Sequence, residues 1–152
     1  MLPVDVTISG WDSALEGDGS LAPVRLGLSL VRGMRVDAAA RIEAARAVRP
    51  FDAVADLANR AQLDRHDLQV LADANALAAL SGNRRQALWH AVAAVPDRDL
   101  LRGTARGEET PELTAPTEGE DIVGDYRSTG LTLNRHPVAL LPCCGRACWR
   151  TA

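Results

Sequence analysis

The stretch of this chain best suited to chemistry is Val31-Arg32-Gly33-Met34-Arg35, and the chemistry is anion binding. Gly33 lacks a Cβ and can take the positive φ of a tight bend. An alanine-rich helix follows from about residue 36. The first amides of such a helix have no intrahelical acceptor and point outward with the positive end of the helix dipole. They suit a phosphate oxygen. Arg32, Gly33, Met34 and Arg35 are therefore candidate phosphate-holding residues, with the guanidiniums adding attraction that is independent of base sequence. A plainer reading stands beside this one, with Gly33 only as a C-cap and Ala39, Ile42 and Ala45 only as a packed face.

Other reactive-looking groups offer less. Asp97 and Asp99 could pair metal ions if they lay on a strand, but they follow a helix and enter a Pro/Gly-rich segment without a third carboxylate in register. His66 and His90 have no nucleophile or acid at useful spacing. Cys143, Cys144 and Cys148, with His136, are poorly spaced for one tetrahedral zinc site and are expected to be free thiols in a frayed tail. Neither catalytic nor metal-ligating residues are expected, and no cofactor. No Gly-rich nucleotide loop or nucleophile elbow occurs.

The elements that must position the bend are short helices. Residues 11–16 and 24–28 flank Gly17-Asp18-Gly19-Ser20 and predict a β-hairpin arm. From 28 to 95 the apolar period is helical. A first brief helix ends at Gly33. A second covers 36–48, with Ala38, Ala39, Ile42 and Ala45 inward and Arg41, Glu43 and Arg46 outward, and is stopped by Pro50. A third runs from 52 to 61, and a fourth is capped by Asp64 and ended by Asn75, which tolerates the left-handed region. A short turn with Leu77 and Leu80 completes a second bent pair. The two pairs stand in tandem, so Asn75 is the second candidate phosphate site. Asn83 and Gln86 form a capping-box pattern opening a further helix with Leu88, Val92 and Val95 inward. Arg84 and Arg85, in its first turn, are either a solvated face or a second phosphate contact. Residues 96–124 read as an acidic linker, 125–141 as a short strand and turn, and 142–152 as a disordered tail.

The whole is expected to be mainly α, one module with an extended arm at 1–27 and an irregular C-terminal tail. Its 152 residues suffice for one modest core. The first 20 positions carry no basic residue and no run of 18 apolar residues occurs, so neither a signal peptide nor a membrane span is expected, and the cytoplasm is the expected location. All 17 cationic residues are arginine, and charge is unevenly spread. Residues 24–95 hold ten arginines against seven acids, whereas 96–125 hold nine acids against three arginines. Only the first of these stretches invites a polyanion.

Several ordered motifs resemble a known family. They are Val24-Arg-Leu-Gly-Leu, Leu30-Val-Arg-Gly-Met, Arg49-Pro-Phe, Asp56-Leu, Leu77-x-x-Leu, Asn83-Arg-Arg-Gln-Ala-Leu-Trp and Asp125-Tyr-Arg-Ser-Thr-Gly-Leu-Thr-Leu-Asn-Arg-His-Pro. Together they resemble the C-terminal part of the bacterial C-family DNA polymerase α subunit, in its error-prone, damage-inducible branch, over residues 2–141. The resemblance implies a tandem helix-hairpin-helix module at 28–80 that holds duplex DNA by its backbone, in a parent that acts in replication, translesion synthesis and repair. It implies Mg²⁺ for the parent polymerase, whose catalytic aspartates match nothing in this chain. Arg35 and Ala53 stand where a capping serine is common, and Asn75 stands for a usual glycine. The cysteine-containing terminus departs from the family and reads as truncated or frame-shifted. A rival reading makes the chain a helical interaction module, docking polymerase accessory proteins or the sliding clamp through Gln86-Ala87-Leu88-Trp89. A third makes it a nonfunctional remnant of a broken reading frame.

Overall fold

A computed structural model describes residues 1–17, 22–94 and 111–140. Two short strands, β1 (Ala14–Leu15) and β2 (Val24–Arg25), pair antiparallel, and Leu2 bridges Arg25 in parallel. The predicted arm is thus a hairpin with the N-terminus laid along its second strand. A single 3-10 turn, Leu28–Leu30, leads into the bend at Gly33. The helices follow: α1 (Val36–Val48), α2 (Val54–Arg60), α3 (Arg65–Asp73), α4 (Ala78–Ser81), α5 (Arg84–Ala93) and α6 (Glu118–Ser128).

The α1 boundaries agree with the sequence expectation because Gly33 and Pro50 punctuate both ends. Its inward face is Ala38, Ala39 and Ile42, all without exposure. Its polar face is not merely solvated. Arg46 donates to the carbonyls of Val6 and Ser9 at 2.9 Å each, Arg41 donates to the Ala61 carbonyl at 2.9 Å, and Glu43 accepts the Trp11 amide at 2.7 Å. These side chains fasten the arm and α2 to α1. Arg60, stacked 4.9 Å from the Phe51 ring centroid, donates to the last carbonyls of α1, at Ala45 and Arg49.

The core is one cluster around Val6, Leu28, Ile42, Leu57, Leu68, Leu71 and Leu77, none of them exposed. α5 packs chiefly on α3, and its buried stripe is Arg84, Ala87 and Ala91. The expected stripe of Leu88 and Val92 is wrong by about one residue of rotation: Leu88 is half-buried and Val92 is exposed. Small alanines let α5 approach α3 closely, which the larger residues would prevent. Val95 lies outside the described residues.

Two other expectations are corrected. The span read as linker contains the start of α6, and the span read as strand and turn contains its end, followed by a 3-10 turn at Pro137–Leu140 and no strand among the described residues. Thr117 and Glu120 close a capping box at the α6 N-terminus, and Ile122 buries against the rest of the fold.

At Gly27 the arm crosses the chain so tightly that a Cβ would press into the backbone of Trp11, Asp12 and Ser13. Gly27→Ala is therefore expected to destabilise by about 1–3 kcal/mol, read as a lowered urea midpoint with unchanged m value.

Candidate nucleic-acid interface

Gly33 takes φ +85°, and a Cβ there would sit 3.4 Å from Val70 Cγ2 and 3.7 Å from His66 Nε2. The positive φ is therefore what favours glycine at this bend, since a Cβ would make only ordinary contact with α3. Arg35 is the N-cap of α1, in extended conformation, and no side chain caps the helix. Arg32, Gly33, Arg35, Val36 and Asp37 are exposed and Met34 is half-buried, so the first residues of α1 face solvent as far as Asp37, whose carboxylate stands in the same turn, and Ala38 is buried. The exposed, uncapped start is the geometry an anion needs.

The two arginines at the bend are engaged otherwise than expected. Arg35 reaches across to α3, donating from Nε to Asp67 Oδ1 at 3.0 Å and from Nη2 to Asp67 Oδ2 at 2.6 Å and Asp64 Oδ2 at 2.7 Å. Asp67 has no exposure, and Arg41 Nη2 stands 3.6 Å from it. Asp64 and Asp67 also form the capping box of α3. The Asp67 amide and the Arg35 guanidinium hold the Asp64 carboxyl below its ordinary range, and Asp67, then Asp64, hold Arg35 more firmly protonated than usual. Arg35 is a tie between the first bend and α3, with half its side chain still facing water.

Arg32 turns toward α6. Its backbone amide donates to Ser128 O at 2.8 Å and its Nη1 to Arg127 O at 3.2 Å. Arg84 is buried and spent on α6, with Nη1 on Asp121 Oδ1 at 2.8 Å and Nη2 on Asp125. It is not offered to a phosphate, which corrects its expected role; the carboxylates that claim it come from far along the chain. Arg85 is half-exposed, 2.8 Å from Glu120. Asn75 takes φ +55°, as the second bend requires, but that bend faces a cavity of about 330 Å³ lined also by Asp121, Asp125 and Thr129, and the Asn75 Oδ1 is buried without a partner. Two carboxylates beside it make the second bend the poorer place for a phosphate.

Sequence reading missed Asp67 and all of α6. Signals were present: Asp64-x-x-Asp67 and Thr117-x-x-Glu120 both have capping-box spacing. Asp97, Asp99 and the three cysteines lie outside the described residues. Among the described residues no cluster of three His, Cys, Asp or Glu is placed to hold a metal ion, and no helix is long and apolar enough to cross a membrane.

Two short helix pairs, each turning through a left-handed residue and joined by α2, define a tandem helix-hairpin-helix module. A family model described as helix-hairpin-helix motif matches residues 1–87, and the chain belongs to that family. Over 93% of its length the chain is similar to proteins named error-prone DNA polymerase: 57% identical to that of Burkholderia pseudomallei (strain K96243), 54% to that of Bordetella parapertussis (strain 12822) and 52% to that of Dechloromonas aromatica (strain RCB). It spans about 14% of the length of each of these relatives.

Asp67→Ala leaves Arg35 without its buried partner and opens the α3 capping box; a loss of about 2–3 kcal/mol is expected by chemical denaturation. Acid has a related effect. Asp37, held low by Arg41, Glu118, held low by Arg135, and Glu120, held low by the Thr117 amide, join Asp64 in favouring the fold while ionised. Their contribution is present above the ordinary carboxylate range and lost as pH falls through the lowered values. Asp73 and Asp121, raised by burial, act in the opposite sense and soften the loss. The thermal midpoint should fall below about pH 4, less steeply at high salt.

Proposed function

We propose that this chain is a sequence-independent duplex-DNA holding module, gripping backbone phosphates at the first hairpin bend. The observation that carries this reading is the exposed, uncapped N-terminus of α1 behind Gly33, held rigid by the Arg35–Asp67 tie. Amides fixed in advance bind an anion without an ordering cost, and they read no base. The names of the relatives support a place within an error-prone DNA polymerase; a part in replication, translesion synthesis and repair is what the family resemblance adds to this reading. There the module would hold DNA, while nucleotidyl transfer, with its Mg²⁺ ions, would belong to parts of the parent that this chain does not resemble. The 152-residue chain, given primed template, Mg²⁺ and four nucleotides, is expected to extend no primer.

A second reading draws on α5, where Trp89 and Val92 are 48% and 60% exposed. That strip is the place to which an accessory protein or the sliding clamp would dock, and Trp89→Ala would weaken such docking without touching DNA retention.

The test of the main reading is a salt series of fluorescence anisotropy on a labelled duplex. With two to four phosphate contacts, log K against log salt should fall with a slope of roughly −2 to −4. Val36→Glu places a carboxylate at an exposed first-turn position where the helix dipole welcomes it, so the fold should hold while binding weakens by about tenfold. Salt-insensitive binding, a marked preference for one base sequence, or full retention by the Val36→Glu protein would overturn the reading.

A further inference from the structure

We propose that Arg127, on the last turn of α6, makes a second phosphate contact beside the Gly33 bend, so that the DNA-holding surface is composite and extends outside the hairpins. This rests on the DNA-holding reading above.

Three observations carry it. First, α6 is seated on the bend itself. The Arg32 amide donates to Ser128 O, the Arg32 guanidinium donates to Arg127 O, and Gly130 lies so close that a Cβ on it would stand 3.1 Å from Arg32 Nη2. A helix C-terminus ordinarily repels phosphate, because its free carbonyls carry the negative end of the dipole. Here Arg32 covers those carbonyls. Its role is to position α6 and neutralise that end.

Second, Arg127 has no side-chain partner among the described residues. Among the described residues Arg25, Arg35, Arg41, Arg49, Arg60, Arg84, Arg85 and Arg135 stand in ion pairs, and Arg32 and Arg46 donate to carbonyls. The side chains of Arg65 and Arg127 alone have no hydrogen-bond partner among those residues. Arg65 borders a small cavity beside Leu88 and Val92, on the α5 side. Arg127 is exposed and borders the same groove as Arg32, a space of about 470 Å³ between α3 and α6.

Third, the groove has the composition of a backbone site. Val70 and Val123 give it apolar walls suited to deoxyribose, and Gly119 and Gly124 line it without a side chain, Gly124 also admitting Arg84. Two carboxylates also line it, Asp73 and Glu120. Glu120 is already paired with Arg85. Asp73 has no ion-pair partner among the described residues and lines the same groove as Arg84 and Arg127. It competes with a phosphate for Arg127, so removing its charge should strengthen binding.

The experiment is the same salt series on the whole chain, with Arg127→Ala, Arg127→Lys and Asp73→Asn beside the unaltered protein, each checked for an unchanged unfolding midpoint. Loss of one phosphate contact should make the slope shallower by about 0.9 in Arg127→Ala. Lysine should restore most of it, and Asp73→Asn should bind more tightly than the unaltered protein at low salt. An unchanged slope in Arg127→Ala, or an Asp73→Asn protein that binds no better, overturns the second contact and leaves the bend as the whole site. An unaltered protein without salt-dependent DNA binding overturns both readings.

Discussion

A single buried carboxylate holds this structure in its working shape. Asp67 has no exposure, closes the capping box of α3 and accepts both arms of Arg35, with Arg41 alongside. An ionised carboxylate without a cation is costly in such a place. Arg35 cannot leave, and Arg35 is the N-cap of α1. The bend at Gly33 is therefore fixed against α3, whose His66 Nε2 lies 3.3 Å from the Gly33 carbonyl oxygen. The amides of α1 are held in place by chemistry buried behind them.

The same tie bears on how a chain of net charge −3 could offer the proposed phosphate site. Most of its described arginines face carboxylates or carbonyls within the fold, so overall composition says little about the field a ligand meets. What remains outside is a narrow region around one bend. Phosphate binding of the proposed kind would be weak, general and sensitive to salt, in keeping with the holding role proposed for this module.

Much of the architecture was legible because it is local. Gly33 and Pro50 bracket α1, Asp64 caps α3, Asn75 turns left-handed, and Asn83 accepts the Gln86 amide at 2.9 Å. What escaped is non-local or disguised. α6 carries two glycines among four acids and reads as solvated chain by composition, yet Asp121 and Asp125 have the buried Arg84 to meet. Arg84 looks misplaced in the first turn of a helix until Asp121 and Asp125 arrive. Gln86 caps only by its amide, since its own side chain turns to the Leu113 amide. The shape of the bend is legible from Gly33, but the partners that Arg35 and Arg32 take lie 32 and 95 residues away respectively.

That last separation bears on how the molecule comes into being. The hairpins assemble from contacts close in sequence, which form early and fast, whereas the clasp between Arg32 and Arg127 closes a loop of 95 residues. A chain emerging from the ribosome holds the folded bend well before α6 has been synthesised to latch onto it. Arg84 spends that interval without its carboxylates. The order of synthesis thus sets the docking of α6 after the folding of the hairpins, and a nascent chain passes through a state in which the module is shaped but not yet locked.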